Sequence, residues 1–230
     1  MTERLYYDNP YQMEFEAEVV EQIRGNGHWL VRLSRSCFYP EGGGQPADRG
    51  FLNDIPVVDV QSENGEVYHY LPEKLAGPRL RGKIDFKRRF NYMQQHSGQH
   101  LISACFLQEG NFPTVSANLG SEFTTMELDC KTISEETLRK VEHRANEVIR
   151  QNVPIHCYLV SRTELKNIPL RKAPPGLEKI RIVEIENVDY SACGGTHVSR
   201  TGEIELVLYS GVEKIRGRVR VYWKIGRRAF

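Results

Sequence analysis

Four residues in two short segments carry the clearest chemistry in this sequence. His96-Ser97-Gly98-Gln99-His100 sets two imidazoles four positions apart. On a helix that spacing stacks both rings on one face, where they can reach a single ion. Serine, not glutamate, follows His96, so this is not the metalloprotease H-E-x-x-H, whose carboxylate is the general base. By itself such a pair is more often a surface or capping feature than a ligand pair. Cys193-Gly194-Gly195-Thr196-His197 is the second segment. Its glycines disfavour a helix and favour a tight loop that can fold Cys193 and His197 toward one point. Read alone, it is also consistent with a plain turn holding a buried cysteine. Together the segments supply three imidazoles and a thiol, a donor set that suits zinc better than the oxygen-seeking magnesium or calcium. His28, His69, His143 and His156 lack such pairing and read as structural or exposed.

The first pair needs a helix, and residues 85–107 supply its spacing through Phe86, Phe90, Met93, Leu101, Ala104 and Cys105. A second helix opens at Ser134-Glu135-Glu136-Thr137, with Ser134 as N-cap and Thr137 where a full capping box would carry glutamate. Leu138, Val141, Ala145 and Val148 continue it. Earlier in the chain the pattern is that of strands: 13–23, a Gly25-Asn26-Gly27 turn, then 29–33. Asn64-Gly65 joins 57–60 to 67–71, a strong hairpin signal. Further on, 153–160 and 180–185 read as strands, and 203–209 with 215–225 as a closing antiparallel pair. The pattern changes at Leu75-Ala76-Gly77-Pro78, the expected joint. The expected fold class is α+β: a small β-barrel-like domain over 1–80, then a metal-binding α/β domain over 81–230 whose antiparallel sheet packs on helices.

Composition limits what can surround the site. The 230 residues include 31 Lys+Arg and 30 Asp+Glu, a net charge of +1, with 27% charged and 40% hydrophobic. That balance suits a globular chain and not a disordered one. It excludes a bulk cationic wrapper of nucleic acid, so any such contact has to be local. Apolar runs fall short of the ~20 residues of a membrane span. Residues 1–7 carry no apolar signal core. Five cysteines, at 37, 105, 130, 157 and 193, are an odd number without a C-x-x-C pair. They argue against a disulfide scaffold and for a reducing, cytoplasmic setting.

With His96-x-x-x-His100 and Cys193-Gly194-Gly195-Thr196-His197 in place, the chain resembles the editing domain of alanyl-tRNA synthetases. It also resembles the free-standing AlaX proteins, which carry that domain without the synthetase body. The resemblance runs through Met93-Gln94-Gln95-His96-Ser97-Gly98-Gln99-His100-Leu101-Ile102-Ser103. It also covers Phe38-Tyr39-Pro40-Glu41-Gly42-Gly43-Gly44-Gln45-Pro46-Ala47-Asp48, the glycine-rich motif of medium-length and longer members. Threonyl-tRNA synthetase editing domains share the two ligand pairs, but the Gly-Gly-Gly-Gln segment favours the alanyl branch. The chain ends soon after its closing strands and no synthetase core precedes the motifs, so its length resembles a medium-type AlaX protein.

The resemblance implies trans-editing: an aminoacyl-tRNA deacylase that hydrolyses the ester joining serine, and in some members glycine, to the 3′ end of alanine tRNA. It implies Zn(2+) held by His96, His100, Cys193 and His197, mischarged alanine tRNA as partner, and no nucleotide cofactor. Alanine fits wherever serine fits, so a site that removes serine has to read its hydroxyl through a hydrogen bond and not through size. Thr114, in Phe112-Pro113-Thr114-Val115-Ser116, resembles the specificity threonine of short AlaX members; an ordinary strand threonine is the competing reading. Gln99 and Ser97, between the histidines, are further substrate-positioning candidates. Gly42, Gly43 and Gly44 permit close backbone approach and, with Gln45, can face a ribose or phosphate; a plain β-turn is the alternative. Four protein ligands close a tetrahedral zinc, whereas catalytic zinc keeps a position open. Either Cys193 is loosely held or the ion anchors substrate and loop. Glu41 and Glu122 are the carboxylates considered as general base.

Arg88 and Arg89 precede the metal helix, and Arg216, Arg218 and Arg220 share one face of the final strand with Lys224. These are the expected phosphate contacts, with solvated surface charge as the alternative. Two other functions fit the same ligands. One is a zinc-dependent hydrolase of a small ester or amide without RNA. The other is a non-catalytic zinc module docked on a synthetase.

Overall fold

Alternating apolar residues make the N-terminal part of the chain almost wholly β. In the computed structural model, which describes residues 1–25, 27–171, 176 and 178–230, the chain divides into two units, Met1–Tyr92 and Met93–Phe230. Unit 1 holds β1 (Glu3–Arg4), α1 (Leu5–Asp8), β2 (Glu14–Gly25), β3 (His28–Leu33), β4 (Arg35–Ser36), β5 (Gly50–Leu52), β6 (Ile55–Val57), β7 (Asp59–Glu63), β8 (Glu66–Leu71), β9 (Arg79–Ile84) and the start of α2 (Phe86–Gly110). Among the described residues, seven strands form one antiparallel sheet in the order β6-β5-β9-β2-β3-β8-β7. The long β2 turns that sheet: its residues 14–18 pair with β9 and its residues 19–25 with β3, with a bulge between Val19 and Glu21. The 57–60 segment, expected as one strand, is split at Val58, whose N–H donates to Tyr70 O at 2.9 Å. That residue carries the chain from one sheet edge, β6, to the other, β7, so the sheet curls into a nearly closed barrel. Phe15, Val31, Leu33, Leu52, Val60, Val67 and Leu71 fill it, each contributing roughly 1.5–3 kcal/mol of burial.

The turns follow local chemistry. Asn64 (φ 50°) and Gly65 (φ 83°) form the two-residue hairpin turn between β7 and β8. Gly25 pairs with His28 across the next hairpin; Asn26, part of the turn expected there, lies outside the described residues. The 75–78 stretch links β8 to β9 within unit 1. Leu75 is buried, and the Gln22 amide bonds both its N–H and its C=O. His69 is fully buried, with Nε2 2.7 Å from Ser36 Oγ and Nδ1 3.0 Å from Val31 O. Burial pushes its pKa down to about 4.

Unit 2 contains the rest of α2, then β10 (Thr114–Leu119), β11 (Thr124–Leu128), α3 (Glu135–Gln151), β12 (Ile155–Ser161), β13 (Lys179–Ile185), β14 (Asp189–Ala192), β15 (Val207–Ile215) and β16 (Arg218–Ile225). Among the described residues its strands form two antiparallel sheets, β10-β11-β16-β15 and β12-β13-β14. Ser134 caps α3 as expected, its Oγ accepting from Thr137 N–H at 3.1 Å. Leu138, Val141, Ala145 and Val148 form the buried stripe of that helix. On β16, Val219, Val221, Trp223 and Ile225 point inward and Arg218, Arg220 and Lys224 outward. The strand expected over 203–209 begins only at Val207. Thr201–Ile204 is a 3-10 turn instead, because Glu203 Oε1 turns back to accept from Ser199 and Arg200 N–H. The strand expected over 215–225 begins at Arg218, since Arg216 (φ 46°) and Gly217 (φ 80°) make a left-handed turn. Among the described residues no helix is long and apolar enough to cross a membrane. All five cysteines are free.

A glycine seats α2 against β16. A Cβ on Gly98 would stand 2.6 Å from Ile225 Cγ2 and 3.2 Å from Ile204 Cγ2. One turn away, Gln95 Nε2 donates to Ile225 O at 2.6 Å while its Oε1 accepts from Thr124 Oγ1 at 2.9 Å.

Gly98→Ala gains about 1 kcal/mol of helix propensity but overpacks a methyl anchored on its own Cβ, at a cost of ~1–3 kcal/mol. Overpacking wins, and the thermal midpoint falls by a few degrees; an unchanged or raised midpoint would show a loose seat. His69 gives a pH signature. Its folded pKa, about 4, lies below the ordinary 6.5, so the unfolded chain takes up the proton first as pH falls. The stabilisation is full above pH 6.5 and is lost as pH drops toward 4, with a total of ~3 kcal/mol. His69→Gln therefore flattens the fall in thermal midpoint across that interval, and parallel profiles for the two proteins would refute this account.

Candidate metal centre

Residues 96–100 on α2 and the loop following β14 meet inside unit 2. The ligand atoms of His96, His100, Cys193 and His197 all lie within 4.8 Å of one another. Cys193 Sγ stands 3.4 Å from both His96 Nε2 and His197 Nε2. Ring centroids are 5.1 Å apart for His96 and His100, 4.3 Å for His96 and His197, and 4.8 Å for His100 and His197. Around a tetrahedral ion with bonds of ~2.0–2.3 Å, donors stand roughly 3.3–3.8 Å apart. The closest pairs already have that spacing, and the widest has to close by about 1 Å. Nitrogen and sulfur donors without a carboxylate suit a borderline or soft ion. The residues therefore fit a metal ion.

Electrostatics point the same way. The three histidines are buried and Cys193 is partly exposed. Burial lowers the His96 pKa to about 4 and holds those of His100 and His197 well below the ordinary range. Neutral imidazole is the form that binds a metal. Burial pushes the Cys193 thiol up to about 11, opposed by the Gly195 N–H and by Arg181; a coordinated ion overrides that and strips the proton.

Neighbouring groups shape the loop. Arg181 O accepts from Cys193 N–H at 3.0 Å, and Arg181 Nη1 donates to Cys193 O at 3.0 Å and Gly195 O at 2.8 Å. Gly195 N–H donates to Cys193 Sγ at 3.3 Å. Ser97 Oγ accepts from Val198 N–H at 3.1 Å and stands 3.1 Å from His197 Nδ1. The tautomer with its proton on Nδ1 satisfies that contact and leaves the Nε2 lone pair toward the cluster. Asp189, which opens β14, is gripped by Arg171 (Nε to Oδ1 2.8 Å, Nη2 to Oδ2 2.9 Å) and by Ser191 Oγ (2.8 Å). Its Oδ2 lies 4.0 Å from His100 Nδ1. Sequence reasoning singled out neither Arg181 nor Asp189. Ile182 pairs with Ala192, which sets Arg181 beside Cys193, and Asp189 precedes that cysteine by one strand; nearness to Cys193 was the available signal.

The other expected residues fall into separate places. Gln99 Nε2 donates to Ser103 Oγ at 2.8 Å, and Ser103 Oγ is 2.9 Å from Thr114 Oγ1. Gln99, next to His100, and Thr114, at the start of β10, are thus linked through Ser103. The glycine motif lies in unit 1 and is a tight turn: Gly43 (φ 59°) and Gly44 (φ 82°) sit between Gly42 and Gln45, which exchange backbone hydrogen bonds of 3.1 and 2.9 Å. Tyr39 Oη donates to Gly42 O at 3.0 Å, and the Gln45 side chain is buried. Glu41 is exposed in unit 1, and Glu122 is exposed between β10 and β11. Arg88 is half-buried, donating to Ala47 O at 2.9 Å with its guanidinium over the Tyr92 ring.

Arg89 corrects the expected phosphate patch. It is completely buried, ion-paired with Asp48, and donates to the carbonyls of Pro10 and Cys37. A charge so enclosed survives only when paired, and here it anchors unit 1. Arg216 is exposed, in the turn before β16 and not on the strand. Arg218 faces Asp129 at 3.6 Å, and Arg220 pairs with Glu127 at 2.6 Å and Glu213 at 3.3 Å.

Residues 180–222 match the family profile described as the threonyl and alanyl tRNA synthetase second additional domain. That span holds Arg181, Asp189, Cys193 and His197. The chain is 34% identical over 238 residues to the alanyl-tRNA editing protein AlaX-M of Methanosarcina acetivorans, covering 95% of each. It is 36% identical over 192 residues to the alanyl-tRNA editing protein Aarsd1-A of Xenopus laevis, covering 80% of this chain and 46% of that protein. With the alanine–tRNA ligase of Halobacterium salinarum it shares 34% over 236 residues, covering 95% of this chain and 25% of the ligase. The chain thus spans about half the length of the animal relatives but nearly all of the archaeal AlaX-M protein. On that sustained identity, together with four donors gathered from two distant segments, the chain belongs to the family of alanyl-tRNA editing proteins.

Proposed function

We propose that this chain is a cytoplasmic trans-editing deacylase that hydrolyses serine wrongly esterified to alanine tRNA. Zn(2+) is held by His96, His100, Cys193 and His197 within the 81–230 domain, while the 1–80 domain carries the glycine motif. The observation that carries the reading is that α2 brings His96 and His100 to Cys193 and His197 in a nitrogen–sulfur donor cluster, and Gln99 and Ser103 to Thr114 in a hydroxyl–amide chain. Zinc, when bound, supplies Lewis acidity toward an ester carbonyl or an attacking water. Cys193 is the partly exposed member of the four, which favours it as the loosely held ligand.

The chain's own residues supply selection and alignment. Thr114 Oγ1, Ser103 Oγ and Gln99 Nε2 form a run of polar atoms. A serine hydroxyl joins that run as one more member, whereas the alanine methyl leaves a polar group without its partner, at ~1–3 kcal/mol. Ser97 keeps His197 turned to the ion. Glycine has no hydroxyl either, so this device does not select glycyl-tRNA. Gly42, Gly43, Gly44 and Gln45 are assigned to the terminal ribose or phosphate, and Arg88, Arg216, Arg218 and Arg220 to acceptor-stem phosphates.

Zinc-loaded protein is expected to deacylate seryl-tRNA of the alanine acceptor well ahead of alanyl-tRNA. A rate no faster than buffer would end the editing reading, and cleavage of small esters alone would favour an RNA-independent hydrolase. His100→Ala is expected to bind zinc far more weakly on its three remaining donors, so that it is isolated with less than one equivalent by elemental analysis, and to lose deacylation; full turnover without zinc would make the ion dispensable. Thr114→Val is expected to keep its zinc and to slow seryl-tRNA hydrolysis by about tenfold or more, as one lost hydrogen bond of ~1.4 kcal/mol would. An unchanged rate removes Thr114 from the pocket.

A further inference from the structure

Two of the histidines differ in what lies behind them. His197 presents Nε2 to the cluster while its outer nitrogen meets Ser97 Oγ at 3.1 Å. Nδ1 of His100 is buried and, among the described residues, has no hydrogen-bond partner. A ring nitrogen left so in the interior is costly, on the order of 1–3 kcal/mol, and calls for an explanation. The acceptor facing it is Asp189 Oδ2, at 4.0 Å. Asp189 is itself buried, and the Arg171 guanidinium and Ser191 hydroxyl fix both of its oxygens. Bringing 4.0 Å down to hydrogen-bond range takes a shift of roughly 1 Å. The widest pair of donors, at 4.8 Å, needs a shift of the same size, about 1 Å, to enclose an ion.

We propose that Asp189 is a positioning residue for the metal: its carboxylate, fixed by Arg171 and Ser191, takes the Nδ1–H of His100 and so presents Nε2 to the ion. The inference rests on the metal reading above and extends it from the donors to the groups behind them. Carboxylate–histidine–metal relays of this kind set the tautomer, orient the ring and raise ligand basicity. Arg171 acts one step further out by holding the carboxylate in place. Ser97 and Asp189 then back the two ends of the cluster, one on the loop histidine and one on the helix histidine.

The test is a double-mutant cycle read by zinc affinity. Metal-free wild type, Asp189→Asn, His100→Ala and the double variant are titrated with zinc ion against a competing chelator. Asp189→Asn is expected to bind zinc 10–100-fold more weakly; its metal-free thermal midpoint falls as well, because the buried pair with Arg171 is broken, and the His100→Ala background separates that general loss from the effect on zinc. In the His100→Ala background the same change is expected to cost nothing further. Cobalt(II)-substituted wild type is expected to show a slowly exchanging imidazole N–H resonance that Asp189→Asn loses. Asp189→Glu, which keeps the charge but moves the carboxylate, covers the case in which Asp189→Asn does not fold; its zinc deficit must likewise vanish when His100 is absent. Equal zinc affinity in wild type and variants, or the same loss in both backgrounds, overturns the proposal. Wild type that takes up no zinc overturns the metal reading itself, which is a different result.

Discussion

His96, His100 and His197 stand with ring centroids between 4.3 and 5.1 Å apart, in a place where little solvent can screen them. Three protonated imidazoles at that spacing would repel one another strongly. The arrangement holds because burial keeps each ring neutral, which leaves lone pairs and not charges pointing inward. Much of unit 2 maintains that condition. Gly98 lets α2 sit close on β16, Gln95 ties the helix to Ile225 and Thr124, and Arg181 grips the two carbonyls that shape the cysteine loop. A cation among the donors uses what the neutral interior has preserved.

The features that could be read in the sequence are those set by neighbours a few positions away. Histidines four apart on a helical pattern, the Asn64-Gly65 turn and the Ser134 cap all depend on local geometry, and all appear as expected. So does the alternation along β16. The features that escaped notice depend on chain segments that meet only on folding. Arg89 looks like its neighbour Arg88, and its burial follows from Asp48, 41 residues away. Ser103 closes the Met93–Ser103 motif without a role assigned to it there, and its place between Gln99 and Thr114 follows from where β10 lands against α2. Arg181 and Asp189 owe their positions to the register of β13 and β14. The early turn at Thr201–Ile204 escaped because one glutamate recaptured two backbone N–H groups from an otherwise strand-like stretch.

Charge on the outer face of β16 is also less free than its composition suggests. Arg220 is shared between Glu127 and Glu213, and Arg218 faces Asp129. The exposed Arg216 projects from the turn instead. A phosphate approaching this face has to compete with carboxylates already in place, so attraction there is local and directional, in keeping with a net charge of only +1.

Two interleaved pairs run along α2: His96 with His100, and Gln99 with Ser103. Each spans one helical turn, and the second is offset from the first by three residues, so they occupy adjoining stripes of one rigid cylinder. Rolling the helix by a single residue would swing both stripes by ~100°, taking donors and polar chain away from their partners in one movement. The two halves of the site cannot drift apart gradually. They are assembled together or lost together, and evolution can retune one stripe only by changing side chains, not by moving the backbone that bears both.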